Sequence, residues 1–252
     1  MPELALEIWV FAAAVALVAG VIKGIVGFAM PMVMISGLAT VMAPDLALAI
    51  LIIPTLFTNL WQAMRGGFAA VVTSTRVHWR YLAVLWGFIA FSAQLIYLLP
   101  ETVMLLILGV PVTIFAVLQL MGWRLRFPDS ARRRVELVVA SIAGFIGGLS
   151  GVWGPPTVAY LTALDTPKLE QVRVQGIVYG SGAVMLALAH VQSGVLTFGT
   201  AQISSVMLVP ALIGLAIGFK VHDRMDQALF RKATLVVLVV AGLNLIRRGV
   251  MG

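Results

Sequence analysis

AGVIKGIVGFAMP, Ala19 to Pro31, returns later in the chain as AGFIGGLSGVWGP, Ala143 to Pro155, at the constant offset of 124 that separates Gly20 from Gly144. Ala19/Ala143, Gly20/Gly144, Ile22/Ile146, Gly24/Gly148, Gly27/Gly151 and Pro31/Pro155 are identical pairs. The surrounding runs are rich in Leu, Val and Ala, where identities arise by chance, so the shared register of glycine and proline carries the claim of duplication. Both stretches interrupt segments apolar enough for a lipid bilayer. A glycine-and-proline break at corresponding positions of two halves points to a transporter's binding site.

Composition sets the solvent. Of the 252 residues, 61% are hydrophobic and 11% charged, and the mean hydropathy is +1.06. That is more apolar surface than one soluble core can hide, so the chain reads as an all-α polytopic membrane protein. The formal net charge of +7 sits in short clusters between apolar runs, as cytoplasmic loops require, and gives no nucleic-acid footprint. Without cysteine, disulfides and thiol chemistry are excluded. His78, His190 and His222 have no second histidine at i+3 or i+4, which argues against a zinc site, and no cofactor is expected. The N-terminal stretch carries Glu3 and Glu7 in place of a signal peptide's basic region, and reads as a retained first helix.

Working outward from the two motifs, apolar segments fall at about Leu4–Ile22, Met30–Met42, Leu46–Met64, Arg80–Leu98 and Thr102–Trp123. After the polar linker RLRFPDSARRR they recur at Val135–Leu149, Pro156–Leu164, Leu169–His190, Ala201–Lys220 and Ala228–Ile246. The expected organisation is a first membrane repeat over 1–123, a cytoplasmic linker over 124–134 and a second repeat over 135–252. If every segment reverses the chain, one side receives Arg65, Arg76, Arg80, the five linker arginines, Lys168, Arg173, Lys220, Arg224, Arg231 and Lys232. The other receives Asp45, Glu101, the uncharged GVLTFGT and the acidic N-terminus; only Arg247 and Arg248 depart from the pattern. The positive-inside rule then places the N-terminus outside. Fusing each short segment with its predecessor into one broken helix scatters the basic loops over both sides and fits worse. An odd number of reversals per half makes the halves two inverted repeats of about five segments each, with broken or re-entrant helices meeting near the midplane.

Proline suits the first turn of a helix and pushes its predecessor out of helical conformation, so a new helix is expected near Pro31 and near Pro155. Each would be preceded by non-helical backbone, tolerated at membrane depth only inside protein or along a cavity. A helix N-terminus there presents unpaired N–H groups and a positive dipole end to an anion. The expected binding residues are Gly24, Gly27, Phe28, Ala29 and Met30, facing Ser150, Gly151, Val152, Trp153 and Gly154, with Thr55, Asn59 and Tyr179 lining the path. Gly20 and Gly24 also have the small-xxx-small spacing of close helix packing. Lys23 is the one charge in the first motif, and its counterpart is Gly147. It either attracts the anion or snorkels to the interface. All acidic residues lie in or near predicted loops, so no carboxylate is available at mid-membrane for proton or sodium coupling. Paired carboxylates, metal-ligand spacing and a Ser/His constellation are missing too, which argues against an enzyme.

GIVGFAMP and GLSGVWGPP, in a small duplicated hydrophobic chain, resemble the motifs of the TauE/SafE family of sulfite and organosulfonate exporters, over essentially the whole sequence. The resemblance implies transport of sulfite, sulfonates or related anions across the bacterial inner membrane, with a small anion and the lipid bilayer as partners. Phe28 and Ala29 stand where the family's first motif is richer in glycine, so a resized cavity is expected. An anion-selective channel and a carrier of another organic anion, such as a carboxylate, are the alternative expectations.

Overall fold

The computed structural model describes residues 5–92, 100–123, 129–150, 154–192 and 194–251. Every element among them is an α-helix: α1 Leu6–Val26, α2 Met30–Leu38, α3 Pro44–Ala63, α4 Phe68–Val77, α5 Trp79–Ser92, α6 Glu101–Leu120, α7 Asp129–Ser150, α8 Gly154–Ala163, α9 Lys168–Gln192, α10 Phe198–Arg224 and α11 Gln227–Met251. Five are long and apolar enough to cross a membrane: α1, α3, α9, α10 and α11. The short α2 and α8 begin at Met30 and Gly154, and α3 and α9 at Pro44 and Lys168, so both pairs of starts keep the offset of 124.

Three departures from the sequence expectation change how its residues are read. The first segment does not end at Ile22: α1 runs on to Val26, which makes Lys23 and Gly24 helical. The arginine-rich linker is helical from Asp129: Arg132, Arg133 and Arg134 lie exposed on the first turns of α7, and arginine is a good helix former. Residues expected to form a loop before Arg80 build α4, whose FAAVVTSTRV is too short and too rich in Ser and Thr to stand out by hydropathy.

The chain forms two compact units, Met1–Val71 with Val172–Asp226 and Val72–Gln171 with Gln227–Gly252, each drawing helices from both sequence halves. In the first, α1 packs on α10 and α2, and α3 packs on α10 and α2. Glycine sets the α1–α10 approach: a Cβ on Gly20 would lie 2.3 Å from the Ala211 carbonyl, and one on Gly218 would lie 2.3 Å from that of Val21. Ala12, Ala16, Met30, Met34, Ile50 and Met207 fill the core between these helices. Inside α3, Pro54 has no N–H for the Ile50 carbonyl. The Ser204 hydroxyl of α10 donates to that carbonyl instead, at 2.7 Å.

In the second unit α6 packs on α11 and α5 on α7, with α8 against α6, α7 and α11. Gly144 does there what Gly20 does in the first unit, since its Cβ would fall 2.4 Å from the Leu85 carbonyl. Tyr81 and Tyr160 stack at 5.1 Å, and the Tyr81 hydroxyl donates to Thr157 Oγ1 at 2.9 Å.

Candidate anion site in the first unit

The site is built where α1 stops. Gly27 takes the left-handed conformation (φ 88°) and donates its N–H to the Lys23 carbonyl at 2.7 Å, a glycine C-cap. Ala29 is also left-handed (φ 74°), which is strained for a residue with a Cβ. Met30 then opens α2 with Pro31 in its first turn, so the chain restarts as a helix within three residues of ending one. Phe28, Ala29 and Met30 are all buried.

A helix end buried in protein must find donors for its carbonyls. Here they come from three helices. His222 of α10 pairs through Nδ1 with the Ile25 carbonyl at 3.0 Å. Gln62 of α3 donates through Nε2 to the Gly27 carbonyl at 2.9 Å and to the Val172 carbonyl at 2.7 Å. Gln175 of α9, with its amide nitrogen toward the break, donates to the carbonyls of Gly27 at 3.0 Å and Val26 at 3.1 Å. Side-chain amides therefore hold the non-helical backbone in place.

One turn before the break, Lys23 is only 1% exposed and its Nζ donates to Oδ1 of the fully buried Asn59. No carboxylate pairs with it among the described residues; the ion pairs there involve Arg65, His78 and Arg231. The ammonium is turned into the unit, so snorkelling does not describe it. A buried lysine held by one neutral amide keeps unused donors, and its charged form has no counter-charge among the described residues; an anion supplies both needs. Asn59 Nδ2, Thr55 Oγ1 and Gln62 Oε1 are buried without partners among the described residues, and these residues share one face of α3 at i, i+4 and i+7. Thr58, by contrast, is occupied: its hydroxyl donates to the Pro54 carbonyl at 2.6 Å and lies 3.4 Å from Met30 Sδ.

The model of the sulfite exporter TauE/SafE family matches residues 12–245, nearly the whole chain and both motifs. The chain belongs to that family. This TauE/SafE member is thus a multi-pass membrane transport protein for sulfur-containing anions. Neither a curated protein nor a solved structure matches it.

Of the residues expected at the site of this family member, Lys23, Gly27, Phe28, Ala29, Met30, Thr55 and Asn59 come together in the first unit. Gly24 does not line it: its Cβ would meet the Leu215 carbonyl at 2.5 Å, so it is spent on the packing of α1 against α10. Tyr179 is half-buried on α9, one turn beyond Gln175. In the second motif, Gly151, Val152 and Trp153 lie outside the described residues, as does the side chain of Ser150; Gly154 opens α8 in the second unit. Sequence reasoning missed Gln62 and His222. Both sit close to arginines, Arg65 and Arg224, and so look like interfacial residues. The signal for Gln62 was its spacing from Thr55 and Asn59 on one helical face.

Proposed function

We propose that this TauE/SafE member is a secondary transporter that exports a small sulfur-containing oxyanion, sulfite or an organosulfonate, across the bacterial inner membrane. The observation that carries this is Lys23: a buried amino group, beside a backbone break, whose bonded partner among the described residues is the neutral Asn59. The anion contacts Lys23 and the partnerless polar atoms of α3, and the first turn of α2 offers it N–H groups. Its partners are that anion and the bilayer, and the site takes no metal or cofactor.

Two inverted repeats, 1–123 and 135–252 joined by a cytoplasmic linker over 124–134, form the architecture, with the N-terminus outside. Support comes from helix starts that keep one offset and from the packing of α1 on α10 against that of α7 on α5, where α5 shifted by the same offset falls inside α10. The second motif, Ser150 to Gly154, belongs to the same proposal as the corresponding binding segment of the second repeat. Tyr179, at the position matching Thr55, lines the path. Sulfite efflux from proteoliposomes containing the purified chain tests the function; efflux no faster than from protein-free vesicles overturns it.

A further inference from the structure

Two rungs join α1 to α3, and in each the orientation of the amide is fixed. On the first, Asn59 turns Oδ1 to Lys23, whose Nζ donates to it. Its Nδ2 is therefore locked as a donor, and it has no partner. On the second rung, Gln62 commits both amide hydrogens to the carbonyls of Gly27 and Val172. Its Oε1 is therefore locked as an acceptor, buried at 0% exposure and equally without a partner. The rungs are about one turn apart, 23 to 27 and 59 to 62, which at 1.5 Å per residue is about 6 Å at the end of α1 and about 4.5 Å along α3. α1 packs chiefly on α10 and α2, and the side chains of α3 reach across to its C-terminal end.

A bare oxyanion satisfies only half of this arrangement. Its oxygens accept from Lys23, Asn59 Nδ2 and Thr55, yet nothing on it can donate to Gln62 Oε1, and a buried acceptor left unmade is penalised. We propose that the seam between α1 and α3 selects sulfur oxyanions that carry their own hydrogen-bond donor, with Lys23 and Asn59 holding the acidic group and Gln62 Oε1 accepting an O–H or N–H from the same molecule. Hydrogensulfite and short hydroxyalkyl or aminoalkyl sulfonates have that chemistry; plain alkylsulfonates do not. The inference rests on the transporter reading and narrows its substrate class.

The test is titration calorimetry of the full chain in lipid nanodiscs with two sulfonates of the same size, 2-hydroxyethanesulfonate and 1-propanesulfonate. The hydroxylated ligand is expected to bind about tenfold more tightly, the usual effect of pairing one buried polar atom. Equal binding, or tighter binding of propanesulfonate, overturns the proposal while leaving sulfite transport intact. If neither sulfonate nor sulfite binds and no sulfite is transported, the transporter reading fails and takes this inference with it. In folded Gln62→Leu the two affinities should converge, and a ratio that stays tenfold removes Gln62 from the role. Since that substitution also frees the Gly27 carbonyl and can impair folding, the ratio in the unmodified chain decides by itself.

Discussion

Two positions at the end of α1 separate what holds the site from what the site does. Gly27 is structural: alanine there must adopt φ 88° and would place its Cβ 1.9 Å from the Gln175 amide. Gly67 has a similar φ of 85° with nothing within 4 Å, so it isolates the backbone penalty. Gly67→Ala should lower stability by about 1 kcal/mol and Gly27→Ala by roughly 2 to 4 kcal/mol, read from unfolding midpoints in detergent. Equal losses would mean that the amides around the break yield freely. Lys23 is functional on the same view. Lys23→Gln keeps a donor for Asn59 but deletes the charge, and sulfite affinity by titration should fall at least about tenfold, the loss of one charge-assisted bond. Unchanged affinity would reduce Lys23 to a partner of the α1 dipole, which a cation in the last turn also favours.

Among the elements, α3 shows how a local fault in one helix is repaired by another. Pro54 strands the Ile50 carbonyl, and Ser204 of α10 supplies the missing donor. Ser204→Ala should destabilise the chain by about 1 to 3 kcal/mol, the penalty of a buried unpaired carbonyl. Adding Pro54→Ala returns an N–H to α3 itself, so the double variant should recover much of that loss in the same unfolding assay. Additive losses would show that Ser204 does not act through that carbonyl but by packing or by accepting the Ile53 N–H at 3.2 Å. Hydropathy made α1, α3, α9, α10 and α11 legible, since each is one long apolar run, and the glycine-proline register located the start of α2 to the residue. It could not reveal α4, whose hydroxyl residues read as loop. Nor could it reveal that Gly20 and Gly24 face α10 through Ala211, Leu215 and Gly218, because close approach between distant segments leaves only small residues as its trace. Gln62 escaped for a related reason: its worth lies in carbonyls that become available only once α1 has ended.

At the scale of the whole molecule, orientation and driving force follow from where charge is absent. Because the chain has no cysteine, single cysteines report accessibility without background. Ala5→Cys should react with an impermeant maleimide added outside intact cells, and Lys168→Cys only after permeabilisation; the reverse pattern would invert the topology. Energetics can be argued further. Among the described residues no Asp or Glu is buried, so the interior offers no carboxylate to bind a proton or sodium ion as the anion crosses. Where the anion crosses without a coupled cation, each net negative charge moved outward gains about 2.3 kcal/mol per 100 mV of inside-negative potential. That corresponds to roughly a fortyfold concentration ratio. Proteoliposomes loaded with sulfite and clamped inside-negative by a potassium diffusion potential should therefore empty faster than vesicles at zero potential, and inside-positive vesicles should empty more slowly. Lys23 sharpens the expectation: with its ammonium paired to the anion the loaded site is closer to neutral, and if the empty site keeps that charge the potential acts on the return of the empty carrier. The voltage effect should accordingly shrink when sulfite is also present outside and the carrier returns loaded. Rates that ignore the potential in both conditions would mean that a co-transported ion balances the anion, against the absence of a buried carboxylate to hold one.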